Sequence, residues 1–149
     1  MVYHLEKNAC IGVGIDIVDI DRFSDWHSKT ESELARIFSA EEIVYCLASK
    51  EKSAERFAVR FAAREAFFKA FHSSYYTIYG EPAPHAFMQL CKQISIQKFP
   101  SGVPLCHVDW QALKPIPDKL LLHAEPSVQL SLSHSRTLAT ALVAITTGK

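Results

Sequence analysis

Residues 52 to 72 read KSAERFAVRFAAREAFFKAFH and contain neither glycine nor proline. Apolar side chains recur along this stretch at roughly helical spacing, which predicts a long helix with one buried stripe. The stripe consists of Phe57, Phe61, Ala62, Phe68 and Phe71. Arg56, Arg60 and Arg64 follow one another four residues apart, and Glu65 and Lys69 have the same spacing. We therefore expect two polar rows that flank the buried stripe.

A segment near the N-terminus alternates in hydrophobicity as a half-buried strand does. Residues 10 to 18 read CIGVGIDIV, in which Gly12, Gly14 and Asp16 share one face of the predicted strand. The other face carries the large apolar side chains Ile11, Val13, Ile15 and Ile17. Asp16 is therefore expected to face away from the isoleucines.

The remaining segments predict two short helices and four more strands. Ser39 to Glu42 has the pattern of a capping box, so a helix should begin there and run to about Ser49. Residues 73 to 90 hold Gly80 and two prolines and predict a loop that leads into a short helix. A hairpin is predicted over residues 94 to 108, and the last two strands fall at 126 to 133 and 138 to 146.

The order of these elements predicts an α+β fold in which an antiparallel sheet packs against one long helix. A chain of 149 residues has the size of one domain, so we expect a single domain over residues 1–149. Hydrophobic residues make up 48% of it, which is enough to bury a core.

Charge and cysteine content exclude several function classes. Lys plus Arg and Asp plus Glu both number 16, so no strong field would recruit nucleic acid or an anionic membrane. The four cysteines lie far apart without a CxxC pair, which indicates neither a zinc site nor a disulfide framework. The sequence shows no signal peptide and no apolar run of the ~20 residues that span a bilayer. We expect a cytoplasmic protein.

Three polar motifs interrupt the apolar elements, and each has a functional and a structural interpretation. The glycines of residues 12 to 16 could admit a helix or a ligand, or could belong to a packing face with a solvated aspartate. Within residues 60 to 69 a carboxylate lies among cations. This arrangement could form part of a ligand-binding site, or could be an ordinary ion pair on the helix surface. The hydroxyls and imidazole of residues 131 to 135 could bind phosphate oxygens, or could stabilise a turn.

Taken together, the motifs GVGID, RFAAREAFFKA and SLSHS resemble, in order and spacing, the signatures of holo-acyl-carrier-protein synthases, which are 4'-phosphopantetheinyl transferases. The resemblance covers most of the chain. It implies an α+β enzyme that uses Mg²⁺ and transfers 4'-phosphopantetheine from coenzyme A to a serine of apo acyl carrier protein, releasing adenosine 3',5'-bisphosphate. It also implies a homotrimer with active sites between neighbouring subunits.

The resemblance assigns roles to single residues near the transferred group. Asp16 and Glu65 match the two carboxylates that bind the metal. Together with Lys69 they are the expected catalytic residues. Arg22 matches a basic residue near the first helix that helps to dock the acidic carrier protein.

The resemblance also implies a binding site for coenzyme A. Arg60 and Lys69 match cations that contact its phosphates. His134 matches an imidazole near the 3'-phosphate of the nucleotide, with Ser133 and Ser135 beside it as hydroxyl donors.

The chain departs from the family pattern at Arg64, where the family usually has lysine directly before the metal-binding glutamate. An arginine could not act as a proton acceptor there. The departure leaves open a catalytically inactive relative that binds carrier protein or coenzyme A. A second alternative is another acyl-carrier enzyme, such as a small acyltransferase or thioesterase, with His134 or a cysteine as nucleophile or base.

Overall fold

The computed structural model describes residues 9–113 and 125–148. The helices and strands within these ranges are β1 (Cys10–Asp19), α1 (Glu31–Leu34), α2 (Ala40–Leu47), α3 (Lys50–Tyr79), α4 (Phe87–Cys91), β2 (Ile94–Lys98), β3 (Pro104–Val108), β4 (Ser127–His134) and β5 (Leu138–Thr146). Two short 3-10 turns, Ile20–Phe23 and Trp26–Ser28, follow β1. The domain expected over residues 1–149 also takes in residues 1–8, 114–124 and 149, which lie outside the described residues.

The described strands form two antiparallel sheets. The larger sheet has the order β1-β5-β4, and β2 pairs with β3 in a separate hairpin. The long helix α3 packs on one side of the larger sheet, which we name the inner face. The predicted strands are confirmed, and so is the α+β class with an antiparallel sheet against one long helix.

The helix α3 is longer than the sequence predicted. It has 30 residues and continues through residues 73 to 79, where a loop was wrongly expected. No glycine or proline interrupts it before Gly80, which adopts a left-handed φ of 72° and donates its N–H to the carbonyl of Tyr76. Among the described helices, none is both long and apolar enough to cross a membrane.

Two glycines bring β1 into backbone contact with α3. A Cβ atom at Gly12 would overlap the carbonyl oxygen of Ala70, and one at Gly14 would overlap that of Ala66. Glycine is therefore required at both positions for this spacing. Asp16 follows on the same face with its side chain 14% exposed, so the interpretation as a solvated aspartate is wrong.

The buried face of β1 is the reverse of the one expected from its apolar side chains. Ile11 is buried, but Val13, Ile15 and Ile17 are 53–62% exposed on the side away from α3. Leu142 of β5 pairs with Ile15 and is also exposed, as is Leu138. We name these five exposed side chains the outer apolar face. The alternation was predicted correctly, but the glycines rather than the isoleucines face the helix.

A buried ion pair joins α2, α3 and the β2 strand. The Arg64 guanidinium donates to both carboxylate oxygens of Glu42, at 2.9 and 2.6 Å, and both side chains are almost fully buried. It also donates to the carbonyls of Ile37 and Ile94, while Glu42 accepts from the N–H of Ile96. The expected polar row therefore turns inward at Arg64, because a partner carboxylate from α2 satisfies its charge.

We expect Gly14→Ala to lower the free energy of unfolding by about 3 kcal/mol, the upper range of overpacking costs, because the new methyl group must displace the α3 backbone. Urea unfolding measures the change. Gly80→Ala is the matched control, since its Cβ would meet nothing within 4 Å and costs only left-handed strain, about 1 kcal/mol. Equal losses in the two variants would contradict the proposed contact.

We expect Arg64→Met to lower the free energy of unfolding by about 3–5 kcal/mol, because it leaves Glu42 buried without its partner. Replacing both residues, as Glu42→Leu with Arg64→Met, should recover part of that loss. Urea unfolding of the three variants and of the surface control Arg36→Met tests this. A loss in Arg64→Met no larger than in the control would show that the pair is unimportant for folding.

Candidate active site

The inner face of β1 and one row of α3 bring Asp16, Glu65 and Lys69 together, and we name this group the carboxylate site. The ammonium of Lys69 lies 2.8 Å from Oδ1 of Asp16 and 2.9 Å from the carbonyl oxygen of Ile15. Lys69 thus pairs with Asp16 on the strand rather than forming the surface pair with Glu65 that the helical spacing alone suggested. Asp16 is held in place by the glycine contact that precedes it.

The electrostatics of the carboxylate site favour an additional cation. Burial raises the pKa of Glu65 and the nearby Asp16 raises it further, whereas Lys69 and Arg22 lower it. Within residues 9–113 and 125–148, Oδ2 of Asp16 is buried and has no hydrogen-bond partner. A buried carboxylate oxygen without a partner is costly, and a bound cation would remove that cost.

The donor set of this site fits Mg²⁺. This ion commonly takes one or two protein carboxylates, completes its shell with substrate phosphate oxygens and keeps several waters. Asp16 and Glu65 are such a pair. The described ranges contain no cluster of three or more His, Cys, Asp or Glu side chains that would form an all-protein metal site.

Arg22 lies beside the carboxylate site on the 3-10 turn that follows β1. Its side chain is exposed, and its guanidinium carbon lies 5.4 Å from the ring centroid of Phe61 and 5.6 Å from that of Phe23. Arg22 also contributes to lowering the pKa of Glu65. The residue predicted to bind a partner is thus a solvent-facing cation at the rim of the site.

A second group of cations lines a cleft of about 210 Å³, which we name the basic cleft. Its polar side chains come from α2, α3, the β2 strand and the end of β4, and they are Tyr45, Glu55, Arg56, Arg60, Gln97, Lys98 and His134. Gly102 and Pro104 of the hairpin also line it. Arginine and lysine side chains converging on one cleft form a site for phosphate.

The serines and histidine of the third predicted motif separate in the structure. His134 lies on the inner side of β4, and its Nε2 is 3.3 Å from Oε1 of Glu55. Strand alternation places Ser133 on the opposite side. The Ser135 hydroxyl accepts from the N–H groups of Thr137 and Leu138, as a turn-stabilising serine does. Within one chain only His134 of these three lines the basic cleft.

The carboxylate site and the basic cleft lie on different flanks of α3. Residues of an α-helix are about 100° apart, so Arg60 and Glu65 point about 140° away from each other. In the sheet, Leu132 of the cleft pairs with Ala141, which pairs with Asp16. Two strand spacings of about 4.8 Å therefore separate the two sites, and α3 packs over the strands between them.

Sequence reasoning missed several side chains of the basic cleft. Arg56 was visible as the first member of the arginine row, and its spacing from Arg60 was the signal for it. Tyr45 and Lys98 carry no local signal because they reach the cleft from α2 and from β2 through tertiary packing. Glu55 lies on α3, and its part in the cleft became visible only from its contact with His134 of β4.

Comparisons with known proteins agree with this architecture. The sequence model of the 4'-phosphopantetheinyl transferase superfamily matches residues 12–140. No curated protein sequence matches the chain. Among solved structures, the chain is similar to the ACPS–CoA complex of Chronobacterium ammoniagenes, with 26% identity over 93% of this chain and 98% of that one and a TM-score of 0.69.

Two further structures show the same likeness. One is the holo-acyl-carrier-protein synthase of Helicobacter pylori in complex with coenzyme A, at 26% identity, 89% and 98% coverage and a TM-score of 0.61. The other is the holo-acyl-carrier-protein synthase of Neisseria meningitidis, at 27% identity, 92% and 98% coverage and a TM-score of 0.64. With the family match across most of its length, the chain belongs to the 4'-phosphopantetheinyl transferase superfamily of enzymes.

Proposed function

We propose that the protein transfers 4'-phosphopantetheine from coenzyme A to a serine of an apo acyl carrier protein in a Mg²⁺-dependent reaction. The observation that carries this proposal is the carboxylate site, where Asp16 has a buried oxygen without a partner beside Glu65, whose pKa is raised. Similar proteins were solved in complex with coenzyme A, which supports that substrate.

Each group in the proposed reaction has a physical task. Asp16 and Glu65 would hold Mg²⁺, which when bound would neutralise charge on the diphosphate of coenzyme A. The serine oxygen of the carrier forms a bond to the phosphorus that bears pantetheine, and its proton is released. The bond from that phosphorus to the bridging oxygen breaks, and adenosine 3',5'-bisphosphate leaves. Lys69, half exposed beside Asp16, steadies the phosphate oxygens.

The carrier protein would approach from the side of Arg22. This residue is exposed at the rim of the carboxylate site, so a negative charge on an acidic carrier can meet it while the carrier serine reaches the metal-binding pair. Glu31 and Glu33 on α1 would repel an acidic carrier, which leaves Arg22 as the attractive group on this side of the site. Arg22 is therefore placed to give the docking surface its positive centre.

The alternative of an inactive relative rested on Arg64. In the structure this guanidinium is directed at Glu42 and at backbone carbonyls of Ile37, Arg60 and Ile94, and it is buried. A residue in this position serves folding, so arginine in place of lysine need not remove a proton acceptor from the carboxylate site. This favours an active transferase.

We expect an apo acyl carrier protein incubated with this chain, coenzyme A and Mg²⁺ to gain the mass of one phosphopantetheine, and EDTA to abolish the gain. Glu65→Gln should reduce the rate by about a hundred- to a thousandfold, because it removes one of the two charges that hold the metal. Intact mass spectrometry measures both results.

The fold should survive Glu65→Gln, because the change removes a negative charge that burial and the nearby Asp16 both disfavour. A melting temperature at or above that of the unmodified protein checks this. Lys52→Gln, a neutral replacement on the exposed surface of the same helix, is the matched control and should leave the rate unchanged. Full turnover in Glu65→Gln would remove Glu65 from the mechanism, and no transfer to several carriers would refute the proposed reaction.

We further propose that each active site is shared between two chains of a homotrimer. In coenzyme A the 3'-phosphate and the diphosphate are attached to one ribose, so their binding groups must lie close together. Within one chain the basic cleft and the carboxylate site lie on different flanks of α3. A neighbouring copy would supply the missing half, and burial of the outer apolar face would stabilise the contact.

Co-expression of two inactive variants tests the shared site. Asp16→Asn disables the carboxylate site and His134→Ala disables the basic cleft, so each variant alone should transfer poorly. Random mixing pairs an intact carboxylate site with an intact basic cleft in about one quarter of the sites, and about one quarter of the activity should return. Light scattering of the unmodified protein should give a molar mass equal to that of three chains. No gain over the separate variants would show that the site lies within one chain.

A further inference from the structure

We propose that Tyr45 is a positioning residue that holds the guanidinium groups of Arg56 and Arg60 together and so sets the affinity for the 3'-phosphate of coenzyme A. This inference rests on the proposed function. Tyr45 lies on α2 and belongs to none of the three motifs that carry the family resemblance. Packing of α2 against α3 brings it into the basic cleft.

At Tyr45, one aromatic ring lies next to two arginine guanidinium groups. The guanidinium carbon of Arg60 lies 4.3 Å from the ring centroid, and that of Arg56 lies 4.4 Å from it. Both distances are well within the range of cation–π attraction. Arg56 also donates from Nη1 to the backbone carbonyl of Tyr45 at 2.7 Å, which fixes the position of one guanidinium against the tyrosine.

Two guanidinium groups in one small cleft repel each other unless something compensates. Arg60 is buried, and its Nε has no hydrogen-bond partner in the described part of the chain, although Oε1 of Glu42 lies 3.8 Å away. The negative face of an aromatic ring offsets part of the repulsion without occupying the donors. The arginine donors that the carbonyls do not use remain available for a ligand.

The other charges of the basic cleft make a doubly charged phosphate the fitting ligand. Lys98 adds a further cation and His134 an imidazole, and Glu55, the acidic side chain of the lining, lies against His134. Paired arginine forks bind phosphate oxygens through several parallel hydrogen bonds. A phosphate monoester presents three such oxygens, which is the group that coenzyme A has and dephospho-coenzyme A lacks.

Tyr45 therefore acts on ligand selection through the arginines. It is partly exposed, at 36%, so replacing it should leave the core intact. Removal of the ring lets the two guanidinium groups separate, which weakens binding of the 3'-phosphate specifically. The hydroxyl group has no part in this effect, so phenylalanine should substitute for tyrosine.

Calorimetric titration of the intact protein with coenzyme A and with dephospho-coenzyme A tests this inference. We expect Tyr45→Leu to lower the affinity for coenzyme A by about three- to thirtyfold and to leave that for dephospho-coenzyme A within about twofold. Tyr45→Phe should bind both ligands as the unmodified protein does. Tyr76→Leu, which replaces an exposed tyrosine elsewhere on the surface, is the matched control and should change neither affinity.

Three results would overturn the inference. They are an unchanged preference for coenzyme A in Tyr45→Leu, an equal loss for both ligands, and a loss in Tyr45→Phe as large as in Tyr45→Leu. Retained binding of dephospho-coenzyme A shows that the variant is folded. If the unmodified protein bound neither ligand, the proposed function itself would fail. If the unmodified protein transferred normally and Tyr45→Leu bound coenzyme A as tightly as it does, only the role of Tyr45 would be refuted.

Discussion

The direct contact between the backbones of β1 and α3 is the constraint on which the rest of the structure depends. Gly12 and Gly14 remove the side chains that would hold the helix away, and the carbonyl groups of Ala66 and Ala70 take their place. Because Asp16 continues the same strand face, its carboxylate reaches the Lys69 ammonium and lies near Glu65. The same strand face therefore determines both how closely α3 packs on the sheet and where the carboxylate site forms.

Much of this fold could be predicted because its elements carry local signals. The glycine- and proline-free run of α3 and the alternation in β1, β4 and β5 identify helix and strands directly. Asp16, Glu65 and Lys69 were predicted from motifs, and the structure brings them together. Alternation alone distinguishes the two faces of β1 but does not show which one is buried. The face with the larger apolar side chains was expected to be buried, and that expectation was wrong.

Other features could not be predicted because they depend on residues distant in the chain. Arg64 belongs to a row that is polar by sequence, yet it is among the most buried side chains because Glu42 approaches it from α2. Tyr45 and Lys98 join the basic cleft in the same way, through packing between separate elements. Such contacts have no periodicity, and only the folded chain shows them.

The length of α3 has a consequence for how the proposed homotrimer would respond to damage. One uninterrupted helix carries Arg56 and Arg60 on one flank and Glu65 and Lys69 on another. In a ring of shared sites, each helix would serve two neighbouring reaction centres at once. A single subunit with a distorted helix would then disable two of the three centres, so a small fraction of faulty chains would remove about twice that fraction of the active sites.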